Sequence, residues 1–294
     1  MIFIAGASGF TGGHLVGHLI RKGFGVKALA RSSATLRKLS AEGCQVVQGD
    51  ITDPSSLKGV LSAGDIVIHL VGIIEEKGDS TFQKVHVDGT ANMVQEAKAA
   101  GVRHFFYQSA LGADLRAVTA YLRTKAGAEE IVRASGIPFT IFRPSLIIGP
   151  WDGFTKRMLE IIRMSPVIPV PGRGDARFQP LYIQDWLVCM QRLIEDPAAF
   201  QGTFEIGGPE HLTYREIILL LASASGHERP VVNLPMGLMK FAASAMRLFP
   251  SPPVTADQLK MLEQDNITDI DSVSGYFGFQ PMRLGEALKE FVKE

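Results

Sequence analysis

The sequence predicts an α/β protein, a doubly wound parallel sheet with a smaller, mainly helical C-terminal domain. Over the first half, short β-branched runs alternate with longer stretches of helical periodicity. A glycine-rich turn, Gly6 to Gly12, joins the first run to the first amphipathic stretch. After Pro144 the alternation breaks, and proline and glycine cluster between Ser165 and Gly174.

In order, the strand candidates are 2–5, 26–30, 45–48, 65–70, 103–108 and 139–143, each a short run of β-forming residues closed by turn chemistry. Between them, 12–22, 81–100 and 117–135 carry apolar residues at helical spacing and end at Gly or Pro. Asp53-Pro54 has the form of a helix N-cap followed by proline at the first helical position. Beyond Pro144, 178–183 and 203–206 read as strands around a helix at 185–194, and helix dominates from Thr213. The expected division is a nucleotide-type sheet domain of 1–145 and 176–206, with 146–175 and 207–294 forming a smaller domain for a substrate or partner.

Composition narrows the function. The 294 residues include 30 basic and 30 acidic, so the net charge is zero and the clustered surplus of Lys and Arg that a nucleic-acid binder needs is missing. A hydrophobic content of 46% against 20% charged excludes intrinsic disorder. The longest apolar run, 217–222, falls far short of the ~18 residues of a membrane span. Met1 leads straight into an apolar run with no basic leader, so the expectation is a cytoplasmic protein that touches membranes at most at their periphery. Cys44 and Cys189 form no CxxC, and His14 and His18 share a helical face without a third ligand, so no disulfide and no metal site is expected.

The turn Gly6-Ala7-Ser8-Gly9-Phe10-Thr11-Gly12 has a mechanism in its strand-turn-helix setting. Its glycines allow close backbone approach, and the unpaired amides and positive dipole end of the helix would receive a pyrophosphate. That is the dinucleotide site of a Rossmann-type sheet. A site for NAD(H) places a carboxylate at the end of the second strand to hold the ribose 2′-hydroxyl. Here Arg31 stands there, Ser32 follows, and no Asp or Glu occurs before Glu42, so NADP(H) is expected in preference to NAD(H). Asp50, after the third run, has two readings: acceptor for an adenine amino group, or former of its own loop. Val71 and Gly72 end the fourth run with small residues beside the adenosine.

Tyr121 and Lys125 stand four apart in a helical stretch and share one face. A lysine ammonium beside a phenol is expected to lower its pKa, letting Tyr121 pass a proton to or from a carbonyl oxygen as hydride moves.

The glycine turn, the Tyr-x-x-x-Lys, Val87-Asp88-Gly89-Thr90, Arg143-Pro144, Gly149-Pro150 and the segment Phe178 to Asp185 together resemble the extended short-chain dehydrogenases/reductases over nearly the whole chain. Ser109 to Ala113, with a short gap to Tyr121, and the late Thr255 to Leu259 are similar to an atypical branch that includes an NADPH-binding accessory subunit of respiratory complex I. The resemblance implies that Ile51 and Pro144 join the cofactor site, that Lys125 anchors the ribose and that a hydroxyl after the fifth strand holds the substrate oxygen. Ala110 aligns with that hydroxyl, leaving Ser109 as the catalytic helper, and His86 stands where the family carries Asn. The segment 234–249 is apolar apart from Lys240, Ser244 and Arg247 and reads as a helix, either core, lid of an apolar pocket or membrane contact. Three functions compete. One is an NADP(H)-dependent oxidoreductase acting on a carbonyl or alcohol, including a quinone- or lipid-like one. The second is a non-catalytic NADPH-binding accessory protein. The third, a sugar-nucleotide epimerase or dehydratase, is opposed by Arg31 and by the short Ser109 to Tyr121 gap.

Overall fold

A computed structural model describes residues 1–245 and 256–292 of the chain. Its first elements are β1 (Ile2–Ala5), α1 (Phe10–Arg21), β2 (Val26–Ala30), α2 (Ser33–Ala41), β3 (Gln45–Gln48), β4 (Ile66–His69), α3 (Gly89–Ala100), β5 (His104–Gln108), α4 (Ala120–Arg133) and β6 (Phe139–Pro144). There follow β7 (Ile147–Ile148), α5 (Gly153–Met164), β8 (Ile168–Pro171), β9 (Arg177–Phe178), β10 (Leu181–Tyr182), α6 (Ile183–Glu195) and β11 (Gly202–Ile206). The last are β12 (Leu212–Thr213), α7 (Tyr214–Ala224), β13 (Val231–Leu234), α8 (Met236–Ala245), α9 (Ala256–Met261), α10 (Ser272–Phe277) and α11 (Leu284–Phe291). Two compact units result: Met1–Arg143 with Leu187–Phe204, and Pro144–Trp186 with Glu205–Glu294.

The first unit is the doubly wound sheet, in the order β11-β6-β5-β4-β1-β2-β3. β1 pairs in parallel with β2 (Ile2 opposite Val26) and with β4 (Ile2 opposite Ile66), so the strand order reverses there and leaves a crevice at the carboxyl ends. Helices cover both faces, which is why β1 and β4 are buried along their whole length and, His69 apart, read as apolar runs rather than alternating ones. On one face Phe3, Val67, Phe105 and Ile141 pack with Met93, Val94 and Ala97 of α3 and Ala128 and Val132 of α4. On the other, His18 of α1 reaches Gln191 of α6 at 2.8 Å. The 187–204 segment completes this unit: the Phe142 and Phe204 rings meet edge-on at 6.1 Å, and Arg133 donates to the Thr203 hydroxyl at 3.1 Å.

Three expectations change. The run 178–183 is not one strand: Pro180 cannot donate to a ladder and divides it into β9, antiparallel to β12, and β10, parallel to β7, while β11 is the segment that joins the main sheet. The helix expected over 81–100 begins with a π-helical turn, Gln83–Asp88, before α3. The helix expected over 234–249 starts only at Met236, because Leu234 closes β13 on β8, opposite Pro171. Arg247, Leu248 and Phe249 lie outside the described residues, as do the side chains of Lys240 and Ser244. Asp53 caps its turn, accepting from the Ser55 amide at 3.0 Å.

In the second unit, Gly149 to Asp152 form a tight turn closed by the Asp152 amide on the Gly149 carbonyl at 3.2 Å. Trp151 sits in it at φ 66°, a left-handed conformation that costs a side-chain-bearing residue roughly 1–2 kcal/mol. Asp152, 2% exposed, then caps α5 through the Thr155 amide at 2.7 Å. Among the described residues, no helix is long and apolar enough to cross a membrane.

Candidate dinucleotide and proton-transfer site

The glycine turn follows β1 at the crevice. Gly6 is left-handed, φ 96°, and a Cβ there would lie 3.0 Å from the backbone of both Leu70 and Val71, so β1 and the end of β4 meet with no side chain between them. Gly12 is tighter: its Cβ would stand 2.1 Å from the Gly6 carbonyl oxygen. α1 starts on Gly9 with no side-chain cap and no acidic residue in its first turn, leaving its amides and dipole end to an anion. Ser8 and Gly9 are exposed, Phe10 and Thr11 half-buried. Gly12→Ala should abolish nucleotide binding in a calorimetric titration, whereas Gly13→Ala should not. A Cβ at Gly13 meets only the Ala7 carbonyl oxygen at 3.7 Å, an ordinary contact.

Arg31, directly after β2, is exposed, and its guanidinium lies 3.7 Å from the Asp50 carboxylate. That carboxylate also accepts from the amide and hydroxyl of Thr52, both at 2.9 Å. Asp50 therefore forms its own loop. Ser32 caps α2 by accepting from the Thr35 amide at 3.2 Å. Ile51 is buried against Gly89 at the start of α3, and its carbonyl accepts from the Asn92 side chain at 2.8 Å. Val71 is half-buried and Gly72 exposed at the end of β4, while Pro144 is buried as the last residue of β6.

Thr119 caps α4 and sets Tyr121 and Lys125 in its first turns. A Cβ on Gly72 would lie 3.3 Å from the Lys125 Nζ and 3.6 Å from the His86 Nε2, so the end of β4 runs against both groups. The Lys125 ammonium is buried, donates to the Gln108 carbonyl at 2.7 Å and stands 4.8 Å over the Tyr107 ring. Burial brings it down to about 7, with the Glu129 carboxylate acting in the opposite sense. Burial pushes the Tyr121 phenol up to about 12. The expected lowering by lysine is thus reversed, because the phenol is buried.

The π-helical turn delivers His86, which fixes the surroundings of Tyr121. Its Nε2 accepts the Ile73 amide at 3.1 Å, so the proton sits on Nδ1 and is donated to the Thr124 hydroxyl at 2.9 Å. The ring is stacked on Phe82 and meets Tyr121 edge-on at 5.6 Å. Burial, then the charge of Lys125, lowers its pKa to about 3 and keeps it neutral.

Ser109 is buried, and its amide still donates to the Phe142 carbonyl at 2.7 Å, extending the ladder past β5. Its hydroxyl lies beside Glu129, a residue the sequence reading missed, but makes no hydrogen bond there. Glu129 is fully buried on α4, gripped by Arg143 through Nε at 2.8 Å and Nη2 at 2.7 Å, and by Arg133 at 2.7 Å. Burial raises its carboxyl, but Arg143, Ser109 and Arg133 outweigh that and hold it below the usual range. The signal was present: Tyr121, Lys125 and Glu129 repeat a spacing of four along one helical face. Also missed were His69 and Thr90, buried and in contact at 3.1 Å beside Tyr107.

A Rossmann-type sheet, a glycine turn with no room for side chains and a Tyr-Lys pair at the end of β4 define a dinucleotide-binding protein of the extended short-chain dehydrogenase/reductase kind. The chain belongs to the NAD(P)H-binding family, whose model matches residues 6–152. It is 29% identical over 281 residues to the mitochondrial NADH dehydrogenase [ubiquinone] 1 alpha subcomplex subunit 9 of Arabidopsis thaliana, covering 90% of this chain and 70% of that protein. It is also 29% identical over 240 residues to the ceramide reductase of Caulobacter vibrioides, covering 80% and 74%. The Escherichia coli NADPH-dependent quinone oxidoreductase QOR2, solved with NADPH, shares the fold with a TM-score of 0.78 at 21% identity over 99% of both chains.

Proposed function

We propose that this chain is an NADP(H)-dependent oxidoreductase that reduces a carbonyl group, or oxidises the corresponding alcohol, on an apolar substrate. The observation that carries this reading is the packing of Lys125 and His86 around Gly72 beside Tyr121, at the crevice that the glycine turn opens. Gly6, Ser8, Gly9, Phe10, Thr11 and Gly12 would hold the pyrophosphate, Arg31 the 2′-phosphate, Ile51, Val71, Gly72 and Pro144 the flanks, and Lys125 the ribose. The bound dinucleotide supplies or accepts hydride at the substrate carbon. Tyr121, a phenol that keeps its proton at working pH, gives that proton to the carbonyl oxygen. Ser109 holds a buried hydroxyl that makes no hydrogen bond, and it would help by holding the substrate oxygen.

Ile74 follows β4 and Leu115 and Val118 follow β5, and they are 63%, 60% and 58% exposed on the two loops that flank this crevice. An apolar rim of this kind favours an apolar ligand. Ceramide reductase, the sterol demethylase protein B of Methylococcus capsulatus and the quinone oxidoreductase all carry names of largely apolar substrates. A second reading, a bound but non-reacting NADPH in an accessory protein, is favoured by the commitment of Lys125 to Gln108 and Tyr107. Relatives named as a complex I subunit and as the photosystem II assembly factor Ycf39 accord with it.

Titration of NADPH and NADH by nicotinamide fluorescence tests the cofactor. Arg31 is 76% exposed on its side chain, so solvent screening limits its contact to the lower end of a charge-assisted bond, about 1.5 kcal/mol or roughly tenfold in affinity. Wild type should prefer NADPH by about that factor, and Arg31→Asp should remove the preference. Equal wild-type affinities would overturn the assignment.

A further inference from the structure

Tyr107 stands in the apolar layer between the sheet and α3 and α4, among Phe105, Ile141 and Met93. It is fully buried, and its hydroxyl makes no hydrogen bond. A buried tyrosine ordinarily sets its hydroxyl on a partner, so the ring rather than the hydroxyl accounts for this one. The Lys125 ammonium lies 4.8 Å over the ring centre and donates to the Gln108 carbonyl at 2.7 Å. An ammonium carries three donors and is strongly hydrated in water, and once buried it gains from the negative face of an aromatic ring what it has lost from solvent. The ring is itself fixed. His69 stands opposite Tyr107 in the ladder of β4 and β5, the two rings are 5.7 Å apart, and the His69 Nε2 lies 3.1 Å from the Thr90 hydroxyl of α3.

We propose that Tyr107 is a positioning residue, whose ring keeps the Lys125 ammonium charged and seated at the end of β4 while His69 and Thr90 hold the ring in place. A dinucleotide binds the charged form better because its phosphates are negative, and this consequence rests on the reading of Lys125 as the ribose anchor. Several titratable groups surround the ammonium. Tyr121 and Glu129 flank it on α4, His86 faces it from the π-helical turn, His69 from β4 and Tyr107 from β5, and Arg143 of β6 grips Glu129. Burial first, then the charge of Lys125, brings His69 and His86 each to about 3 and keeps them neutral. Burial raises both phenols, and Glu129 lies below the usual carboxylate range. Lys125, brought down to about 7 by burial, is then the member of this set that changes charge between about pH 6 and 9. Its hold on NADPH is full below that value and is lost as pH rises through it.

The test weakens the ring face and leaves its shape. Tyr107→Phe keeps the ring and starts the series, and increasingly fluorinated phenylalanines at position 107 of the full chain then drain the negative face stepwise. One readout is the titration midpoint of Lys125 in nucleotide-free protein, from NMR of lysine labelled at the ε-carbon and assigned with Lys125→Met. The other is NADPH affinity by nicotinamide fluorescence over the same pH range. Along the series the midpoint should fall by about one pH unit, the scale of a desolvated cation-π contact. NADPH should bind roughly five- to tenfold more weakly at about pH 7.5, but within about twofold at about pH 6, whereas a loss of packing would weaken it equally at both. A midpoint that does not move with fluorination overturns the proposal, whatever the affinity does. A midpoint that moves while NADPH affinity stays constant supports the hold of Tyr107 on Lys125 and overturns Lys125 as the ribose anchor instead.

Discussion

Tyr121→Phe should lower turnover by roughly a hundred- to ten-thousandfold, the range lost when a positioned proton donor is removed. The change deletes one oxygen and little volume, and the edge-on contacts with Phe82 and His86 survive it, so NADPH affinity should stay within about twofold. The measurement is NADPH consumption with a panel of quinones and long-chain ketones. Turnover in Tyr121→Phe equal to wild type would exclude Tyr121 as the acid. If wild type itself binds NADPH tightly and turns over nothing on the panel, the accessory reading stands.

Glu129→Ala should be the most destabilising single change in the sheet unit. It leaves Arg143 with two donors facing an emptied, buried site and takes a partner from Arg133, and breaking a buried charge pair from one side costs about 3–5 kcal/mol. Glu129→Gln keeps an acceptor and much of the packing and should lose less. Urea unfolding followed by circular dichroism measures both. A Glu129→Ala midpoint within error of wild type would show that Arg143 and Arg133 find water or other acceptors without cost.

Local features were legible in the sequence. β1 to β6 fall within a residue or so of the runs that predict them, because each is a β-branched segment closed by a turn, and the crossover helices follow from a period of 3.6. The glycine turn was legible because the constraint lies in the missing side chains themselves. The region after Pro144 was not. β8 and β13 pair across sixty-odd residues, Pro169 and Pro171 obscure the first of them, and their register is decided by tertiary contact. The reversal at Tyr121 has the same origin: a spacing of four says that a lysine is near, but not that the phenol is buried. Glu129 gains its meaning only from Arg143, on a different element fourteen residues later.

The first unit is built from two separated stretches of chain, and this sets an order of events during synthesis. When Arg143 leaves the ribosome, β6 has a partner on one side only. The strand that covers its other edge lies about sixty residues further on, and translation at about 5–20 residues per second delivers it several seconds later. Through that interval Phe142 and the free ladder of β6 face solvent or a chaperone. The nascent protein is then most exposed to mispairing with a neighbouring chain, and β11, with Phe204 against Phe142, ends that exposure.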